Sequence, residues 1–139
     1  MQHAIDFATA TMIAGDSQRK NSGSIPDGST MDLWEILVPT AFGDNEKPVR
    51  TKHHRQWDKY VRSLSGGLTL LKATKGQWTC PRSKELIEER MIPVRIACSE
   101  VDIEKIIRFT LKHYRQKVVM AYQISNKVLM LEAKNEEIS

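Results

Sequence analysis

From Met31 onward the chain alternates between strand-like and helix-like spacing of its hydrophobic residues. Residues 32–42, DLWEILVPTAF, alternate in polarity and are rich in residues that favour sheets, which predicts a strand ending near Pro39. Thr51 is the predicted N-cap of a helix that continues to about Leu64. A Ser-Gly-Gly sequence follows at once, and glycine commonly ends helices because it adopts the left-handed conformation without strain.

The next segment predicts two strands joined by a short connection. LTLLKAT, residues 68–74, has the composition of a strand, and the Lys-Gly pair at 75–76 is a signal for a bulge or turn. A turn at 81–84 precedes a long predicted strand, Leu86 to Cys98, with residues 92, 94, 96 and 98 on one face. Because proline cannot donate a hydrogen bond to the ladder, Pro93 predicts an edge position or a bulge for this strand.

The C-terminal part predicts a second helix followed by further strand. Ser99 is the predicted N-cap, with Asp102 at the capping-box position. Val118 to Ile124 predicts a strand, residues 125–126 a tight turn, and Val128 to Leu131 a short returning strand. The helix itself has an apolar stripe at helical spacing, made of Ile103, Ile106, Ile107, Thr110, Leu111 and Tyr114.

This order of elements predicts an α+β protein with the ferredoxin-like βαββαβ fold. We expect an antiparallel sheet with two helices on one face, plus a C-terminal hairpin strand. The domain is expected at residues 31–131, after a flexible N-terminal arm or leader at 1–30 and before a charged tail at 132–139. Strands that are apolar on both faces predict self-association, because a helix-free apolar face does not usually stay in water. We therefore expect a homo-oligomer, either a trimer or a dimer.

Charge and cysteine content narrow the classes of partner. The whole chain holds 21 cations and 17 acids. Residues 1–30 contain two of these cations and three of the acids, and residues 132–139 contain one cation and three acids. Residues 31–131 therefore hold 18 cations and 11 acids. This excess of +7 favours an anionic ligand or nucleic acid, although a solvated surface is the simpler explanation and no interleaved basic and aromatic strand supports nucleic acid. Cys80 and Cys98 have neither zinc spacing nor a disulfide framework.

The expected location is the cytoplasm. Both cysteines are expected to be reduced, which is typical of that compartment. No apolar run approaches the ~20 residues that span a bilayer, so no membrane partner is expected. The N-terminal residues lack a cationic start, and Asp6 interrupts their apolar stretch, which argues against a secretion signal. No cofactor is expected.

Candidate chemistry is concentrated in a few polar and aromatic side chains. The adjacent His53 and His54 would point about 100° apart on a helix, so no metal site is expected. The glycine pair follows a helix instead of preceding one, which argues against a phosphate-binding loop. We predict a ligand pocket near a neighbouring subunit, lined by His53, His54, Trp57, Gln77, Trp78, Glu89, Arg90, Tyr122 and Gln123. The alternatives are a core role for Trp57 and a structural ion pair for Glu89 or Arg90.

Two resemblances add to this interpretation. GGLTLLKATKGQW followed by EERMIPVRIAC resembles a family of small bacterial proteins without an assigned chemistry, over roughly residues 31–131. More distantly, WEILVPTAF, HHRQWDKYVRSLSGGL, PVRIAC and VVMAYQIS are similar to the S-adenosylmethionine lyases of phages. This similarity implies a ferredoxin-like oligomer with active sites between subunits. The lyases rely on a glutamate after their glycine-leucine turn, where this chain has Lys72 and Ala73, so the resemblance implies their fold and assembly but not their reaction.

Three functions follow as hypotheses from these observations. The first is an oligomeric ferredoxin-like protein that binds a small anionic or nucleotide-like ligand at a subunit boundary, with or without catalysis. The second is an enzyme similar to the S-adenosylmethionine lyases. The third is a basic module that binds nucleic acid or protein without catalysis, with nucleic acid the less favoured partner.

Overall fold

The computed structural model describes residues 31–135, and the predicted N-terminal arm lies outside these residues. Its strands pair only in antiparallel fashion, in the order β2-β4-β1-β5, and β3 also pairs with β4. The predicted α+β, ferredoxin-like class is confirmed. The elements are β1 (Asp32–Pro39), α1 (Thr51–Ser65), β2 (Thr69–Leu70), β3 (Thr74–Thr79), β4 (Leu86–Cys98), α2 (Glu100–His113) and β5 (Ala121–Ser125).

The hydrophobic core lies between the two helices and one face of the sheet. Alternate residues of the central strands β1 and β4 point into it, as the period of two in a strand requires. The predicted stripe of α2 is confirmed, because all its members except the half-buried Leu111 are buried. The buried core comprises Trp34, Ile36, Val38, Trp57, Val61, Val94, Ile96, Cys98, Ile103, Ile106, Ile107, Tyr114 and Val119. The intervening residues of β1 and β4 form the opposite face. Neither α1 nor α2 covers it, and we call it the helix-free face.

The helix ends follow local capping chemistry. At α2, the Ser99 hydroxyl accepts a hydrogen bond from the Asp102 N–H at 3.1 Å, so this predicted cap is confirmed. At α1, the prediction of Thr51 as N-cap is wrong. Arg50 occupies that position without a side-chain cap hydrogen bond, and Thr51 is the first helical residue. Gly66 ends α1 with a left-handed φ of 86°, as the glycine pair predicted.

The strand predicted at residues 68–74 is interrupted in the structure. β2 contains only Thr69–Leu70 and β3 begins at Thr74, so the predicted bulge or turn at 75–76 instead lies inside a regular strand. Pro93 explains the interruption. Its carbonyl accepts from the Leu71 N–H at 2.9 Å, and the nitrogen of a strand residue points to the same side as its oxygen. The missing N–H of Pro93 therefore faces the interruption. Of the two predicted alternatives the edge is wrong, because β4 is an interior strand at Pro93, while the bulge has a counterpart on the neighbouring segment, where residues 72–73 lie opposite Ile92 alone.

The C-terminal strands also differ from the prediction. β5 begins at Ala121 and not at Val118, and no strand follows it within residues 31–135, so the predicted returning strand from Val128 to Leu131 is wrong. The Ser125 hydroxyl hydrogen-bonds both the N–H and the C=O of Lys127, which turns the chain away from β5. The Val128 carbonyl then accepts from the Met31 N–H at 3.3 Å, beside the start of β1.

A two-stranded ribbon extends beyond the end of β1. β1 pairs with residues 91–98 of β4, whereas β3 pairs with residues 86–91. The predicted turn at its tip is confirmed at residues 81–83. We use the term ribbon for residues 74–91. Its side chains are exposed or half-buried, since α1 and α2 cover only the part of the sheet that contains β1.

Candidate functional site

A carboxylate lies at the centre of the helix-free face. The strand register places Arg95 of β4 and Tyr122 of β5 opposite Glu35 of β1. Arg95 Nε donates a hydrogen bond to Glu35 Oε1 at 3.0 Å, and the Tyr122 hydroxyl donates to Glu35 Oε2. Glu35 is only 9% exposed, although neither α1 nor α2 covers it. We call these three residues the Glu35 cluster.

The cluster fixes the protonation states of its members. The hydrogen bond from Tyr122 is the main cause that holds the pKa of Glu35 below its ordinary value of 4.5; Arg95 adds to this effect, and burial opposes it. Burial, and then the bond to Glu35, raise the pKa of Tyr122 to about 12. At neutral pH the carboxylate is therefore ionised and the phenol is protonated, so both oxygens of Glu35 receive donors.

Arg95 also has donors directed away from this ion pair. Its side chain is 45% exposed, and the contact with Glu35 uses Nε. The two terminal amino groups of the guanidinium can therefore hold a carboxylate or phosphate of a ligand in a bidentate manner. An anion at this position would meet the Arg95 guanidinium, whose orientation the hydrogen bond to Glu35 already fixes.

Apolar side chains surround the Glu35 cluster. The register places Leu33 and Leu37 of β1 on the same face, together with Met120, whose carbonyl accepts from the Leu37 N–H at 3.1 Å. Met120 is 38% exposed and Tyr122 is 37% exposed, while both leucines are half-buried. Within residues 31–135, the helix-free face thus has a polar centre within an apolar surround.

The ribbon carries four of the residues predicted to line a pocket. Trp78 Nε1 donates to Glu89 Oε2 at 3.3 Å, and the register places both on the same side of the sheet as the Glu35 cluster. Gln77 and Arg90 point to the other side, where Gln77 Nε2 donates to Glu88 Oε2. Glu89 and Arg90 therefore lie on opposite sides of their strand.

The two histidines and Trp57 lie in the helix layer. His53 stacks on His113 with ring centroids 3.6 Å apart, and His54 Nδ1 is 2.7 Å from the hydroxyl of Tyr114. Trp57 is 1% exposed, and its indole N–H donates to Thr110 Oγ1 at 2.8 Å. It belongs to the core and has no surface for a ligand in this conformation.

The structure thus distributes the predicted site residues over separate places. His53, His54 and Trp57 lie on the helix side of the sheet, while Trp78 and Glu89 lie on the ribbon and Tyr122 on the helix-free face. Gln123 is exposed on β5 and pairs with Trp34, next to Tyr122. The part with convergent chemistry is Tyr122, whose partners come from β1 and β4.

Sequence reasoning missed Glu35 and Arg95. The signal for Glu35 was present, since it is a charged residue between apolar neighbours in the sequence WEIL. The signal for Arg95 was not, because its position relative to Glu35 depends on pairing between strands that are 60 residues apart.

Other classes of site find little support in the described part of the chain. Within residues 31–135, no group of three or more histidine, cysteine or acidic residues is arranged to hold a metal ion. Cys80 is half-buried and Cys98 is buried. Among the described helices, none combines the length and the apolar character that crossing a bilayer requires.

Comparison with solved structures places this architecture among known folds. A phage S-adenosylmethionine lyase in complex with S-methyl-5'-thioadenosine superposes with a TM-score of 0.54 at 15% identity, covering 84% of this chain and 92% of the lyase. The likeness is one of fold. The apo state of a phage lyase gives 0.50 at 13% identity, over 83% of this chain and 91% of the other.

The divalent cation tolerance protein Cut A1 from Thermus thermophilus shares the same architecture. Its TM-score is 0.50 at 11% identity, over 77% of this chain and 90% of Cut A1. No protein-family model and no curated protein matches the chain. Because all these identities are low, the comparisons establish the fold of the chain and leave its chemistry to its own residues.

Proposed function

We propose that this protein is a homo-oligomer that binds a small nucleotide-like ligand with an anionic group at the boundary between two copies. The observation that carries the proposal is the Glu35 cluster, an ionised carboxylate at 9% exposure on a face that neither α1 nor α2 covers. A second copy against this face would cover the apolar surround and enclose the polar centre. Buried polar groups that converge within an apolar wall are typical of ligand sites.

Each residue of the proposed site would recognise a different part of the ligand. The terminal amino groups of Arg95 would hold the anionic group, and the Glu35 carboxylate would attract a positively charged or hydroxyl-bearing part of the ligand. Trp78 offers an aromatic ring on the same side of the sheet, and its indole N–H is held by Glu89 at 3.3 Å. Such a ring suits the stacking of a base. In the oligomer the ribbon would bring Trp78 to the face of a neighbouring copy.

The experiment is a thermal-shift screen of the full chain against S-adenosylmethionine, S-methyl-5'-thioadenosine and adenine nucleotides. A ligand at about one hundred times its Kd raises Tm by roughly 10 °C in a domain of this size. We expect at least one compound to do so for the wild type and for Glu85→Gln, an exposed acid at the tip of the ribbon. Glu35→Gln should lose this shift relative to its own unliganded Tm.

Two results would contradict the proposal. One is a screen in which no nucleotide-like compound changes the Tm of the wild type. The other is a ligand-dependent shift that Glu35→Gln retains in full while circular dichroism shows the variant to be folded. Tyr122→Phe provides an independent check, since it removes one donor to the carboxylate without removing any charge.

The second candidate is an S-adenosylmethionine lyase activity at the same cluster. It is favoured by the fold shared with a lyase that holds S-methyl-5'-thioadenosine, and by the presence of a carboxylate, Glu35, although positions 72 and 73 are lysine and alanine. Incubation with S-adenosylmethionine, followed by chromatography for S-methyl-5'-thioadenosine, tests it. Product that forms with the wild type and not with Glu35→Gln would support the lyase; binding without product would leave the protein a ligand-binding module.

A further inference from the structure

A second region, on the helix side of the sheet, has the chemistry of an anion site. It is an open groove of about 460 Å³ between the loop that connects β1 to α1 and the C-terminal end of α2. Four of its lining residues are cations, Lys47, Arg50, Lys52 and Arg115. We call this region the basic groove. It contains no member of the Glu35 cluster, so the inference does not rest on the function proposed above.

The charges in the basic groove are poorly compensated. Arg115 forms an ion pair with Asp44 at 2.8 Å. The other three cations take part in none of the ion pairs formed among residues 31–135, and the first turn of α1 contains no acid. Like charges gathered around one groove repel one another, and a bound anion relieves that repulsion.

The frame of the basic groove is the loop between β1 and α1, and hydrogen bonds hold it both internally and against the end of α2. Across the loop, Phe42 N–H donates to the Lys47 carbonyl at 2.9 Å, and Ala41 forms a bridge with Pro48. Toward α2, the Gly43 N–H donates to the Tyr114 carbonyl at 3.1 Å, and Gln116 Nε2 donates to the Ala41 carbonyl at 3.0 Å. The cations are therefore attached to a loop that is fixed to the end of a helix.

Gly43 shows how closely the two sides of this frame approach. A Cβ atom at Gly43 would lie 2.2 Å from the backbone oxygen of Arg115, a distance that no side chain could occupy. Arg115 in turn extends over the ring of Phe42, with its guanidinium carbon 4.3 Å from the ring centroid. Because the frame is preorganised, an anion would bind without first having to order the loop.

From these observations we infer that the basic groove binds a small molecule with two or more linked phosphate groups. Its volume is within the range of small-molecule sites, roughly 300–1,000 Å³. Four cations around it match the charge of an oligophosphate better than that of a single carboxylate. Arginine suits this task because its guanidinium can hold phosphate oxygens in pairs.

Isothermal titration calorimetry of the full chain with inorganic tripolyphosphate tests the inference. The variant is Arg50→Gln with Lys52→Gln, and the matched control is Lys59→Gln with Lys105→Gln, two exposed lysines outside the groove. Both remove two positive charges. We expect the groove variant to bind at least about 30-fold more weakly, since each lost charged hydrogen bond is worth roughly tenfold, and the control to change by less than about threefold.

Several outcomes would overturn the inference. Equal losses in the groove variant and the control would mean that only net charge matters. Failure of the wild type to bind tripolyphosphate, or tighter binding of a single-stranded oligonucleotide through the same cations, would also reject a small oligophosphate as the ligand. Lys47→Gln alone gives a second, milder test of the groove. The proposed function is tested with Glu35→Gln and nucleotide-like ligands, whereas the basic groove is tested with Arg50→Gln, Lys52→Gln and tripolyphosphate, so failure here and failure of the proposed function are separable.

Discussion

At the scale of single residues, Trp57 combines the largest fully buried side chain of residues 31–135 with a satisfied polar group. It is 1% exposed, and its N–H donates to Thr110 Oγ1, which itself donates to the Ile106 carbonyl at 2.6 Å. The hydroxyl of Thr110 is thus both a donor and an acceptor at the interface of the two helices. Removal of the indole would leave a cavity and an unmatched hydroxyl acceptor together.

Trp57→Ala should therefore lower the free energy of unfolding by about 3–5 kcal/mol. Chemical denaturation monitored by circular dichroism measures this loss. Lys59→Ala, two residues along the same helix and exposed, is the control and should change stability by less than about 0.5 kcal/mol. A loss well below 1 kcal/mol for Trp57→Ala would show that the side chain is accessible in solution. The prediction that Trp57 lines a ligand pocket would then be favoured over its role in the core.

Residue spacing predicted the core positions better than it predicted the polar site. The stripe of α2 that contains Ile103 and Ile106 was visible because helical periodicity is local. Glu35 and Tyr122 are 87 residues apart, and nothing in the neighbourhood of either indicates that they share a hydrogen bond. Long-range strand register places Tyr122 beside its partner, and one residue of slip would move it to the other face.

At the scale of elements, α1 packs on α2 partly through a stacked pair of histidines. His53 Nε2 is 2.6 Å from the His113 carbonyl and His113 Nε2 is 2.8 Å from the His53 carbonyl, so the stacked rings bond reciprocally across the two helices. Burial is the main cause that lowers the pKa of His54 and of His113 below the usual 6.5. Asp58 opposes this effect at His54.

These lowered pKa values predict that stability falls as the pH decreases from 7.5 to 5. Between the lowered pKa of the folded state and the usual 6.5, the unfolded chain binds more protons, so acid favours unfolding. The stabilisation is complete above 6.5 and is lost below it. Denaturation midpoints at several pH values measure the slope, which the double variant His54→Gln, His113→Gln should flatten.

Glu35→Gln serves as the control for this pH dependence. The pKa of Glu35 is held below 4.5, so its contribution is lost only at lower pH and the slope between pH 5 and 7.5 should persist in this variant. A slope that is unchanged in the histidine double variant would assign the pH dependence to other groups and contradict our interpretation of the helix interface.

The strands show why element boundaries are harder to predict than elements. The sequence LTLLKAT has uniform strand composition, yet the strand ends after Leu70. The Leu71 N–H still bonds to the Pro93 carbonyl, but Pro93 has no N–H to return the bond. The cause lies on another element, more than 20 residues away. By contrast, the cap at Ser99 involves a residue three positions later, and it was predicted correctly.

At the scale of the whole molecule, the two sides of the sheet differ in how they are covered. Helices bury one side, whereas the helix-free face exposes Met120 and Tyr122 around a carboxylate at 9% exposure. The expected self-association would cover this face with the same face or with the ribbon of another copy. The apolar surround would stabilise the contact, and the Glu35 cluster would lie within it.

Met120→Glu should therefore dissociate the oligomer, because it places a charge within the apolar surround of the proposed contact, where burial of a charge is costly. Leu70→Glu is the matched control: Leu70 is 55% exposed, against 38% for Met120, and the register places it on the helix side of the sheet. Size-exclusion chromatography with light scattering at micromolar concentration gives the mass of each species. We expect a dimer or trimer for the wild type and for Leu70→Glu, and a monomer for Met120→Glu. A monomeric wild type would remove the subunit boundary from the proposed function, and dissociation by Leu70→Glu alone would move the contact from the face of the sheet to its edge.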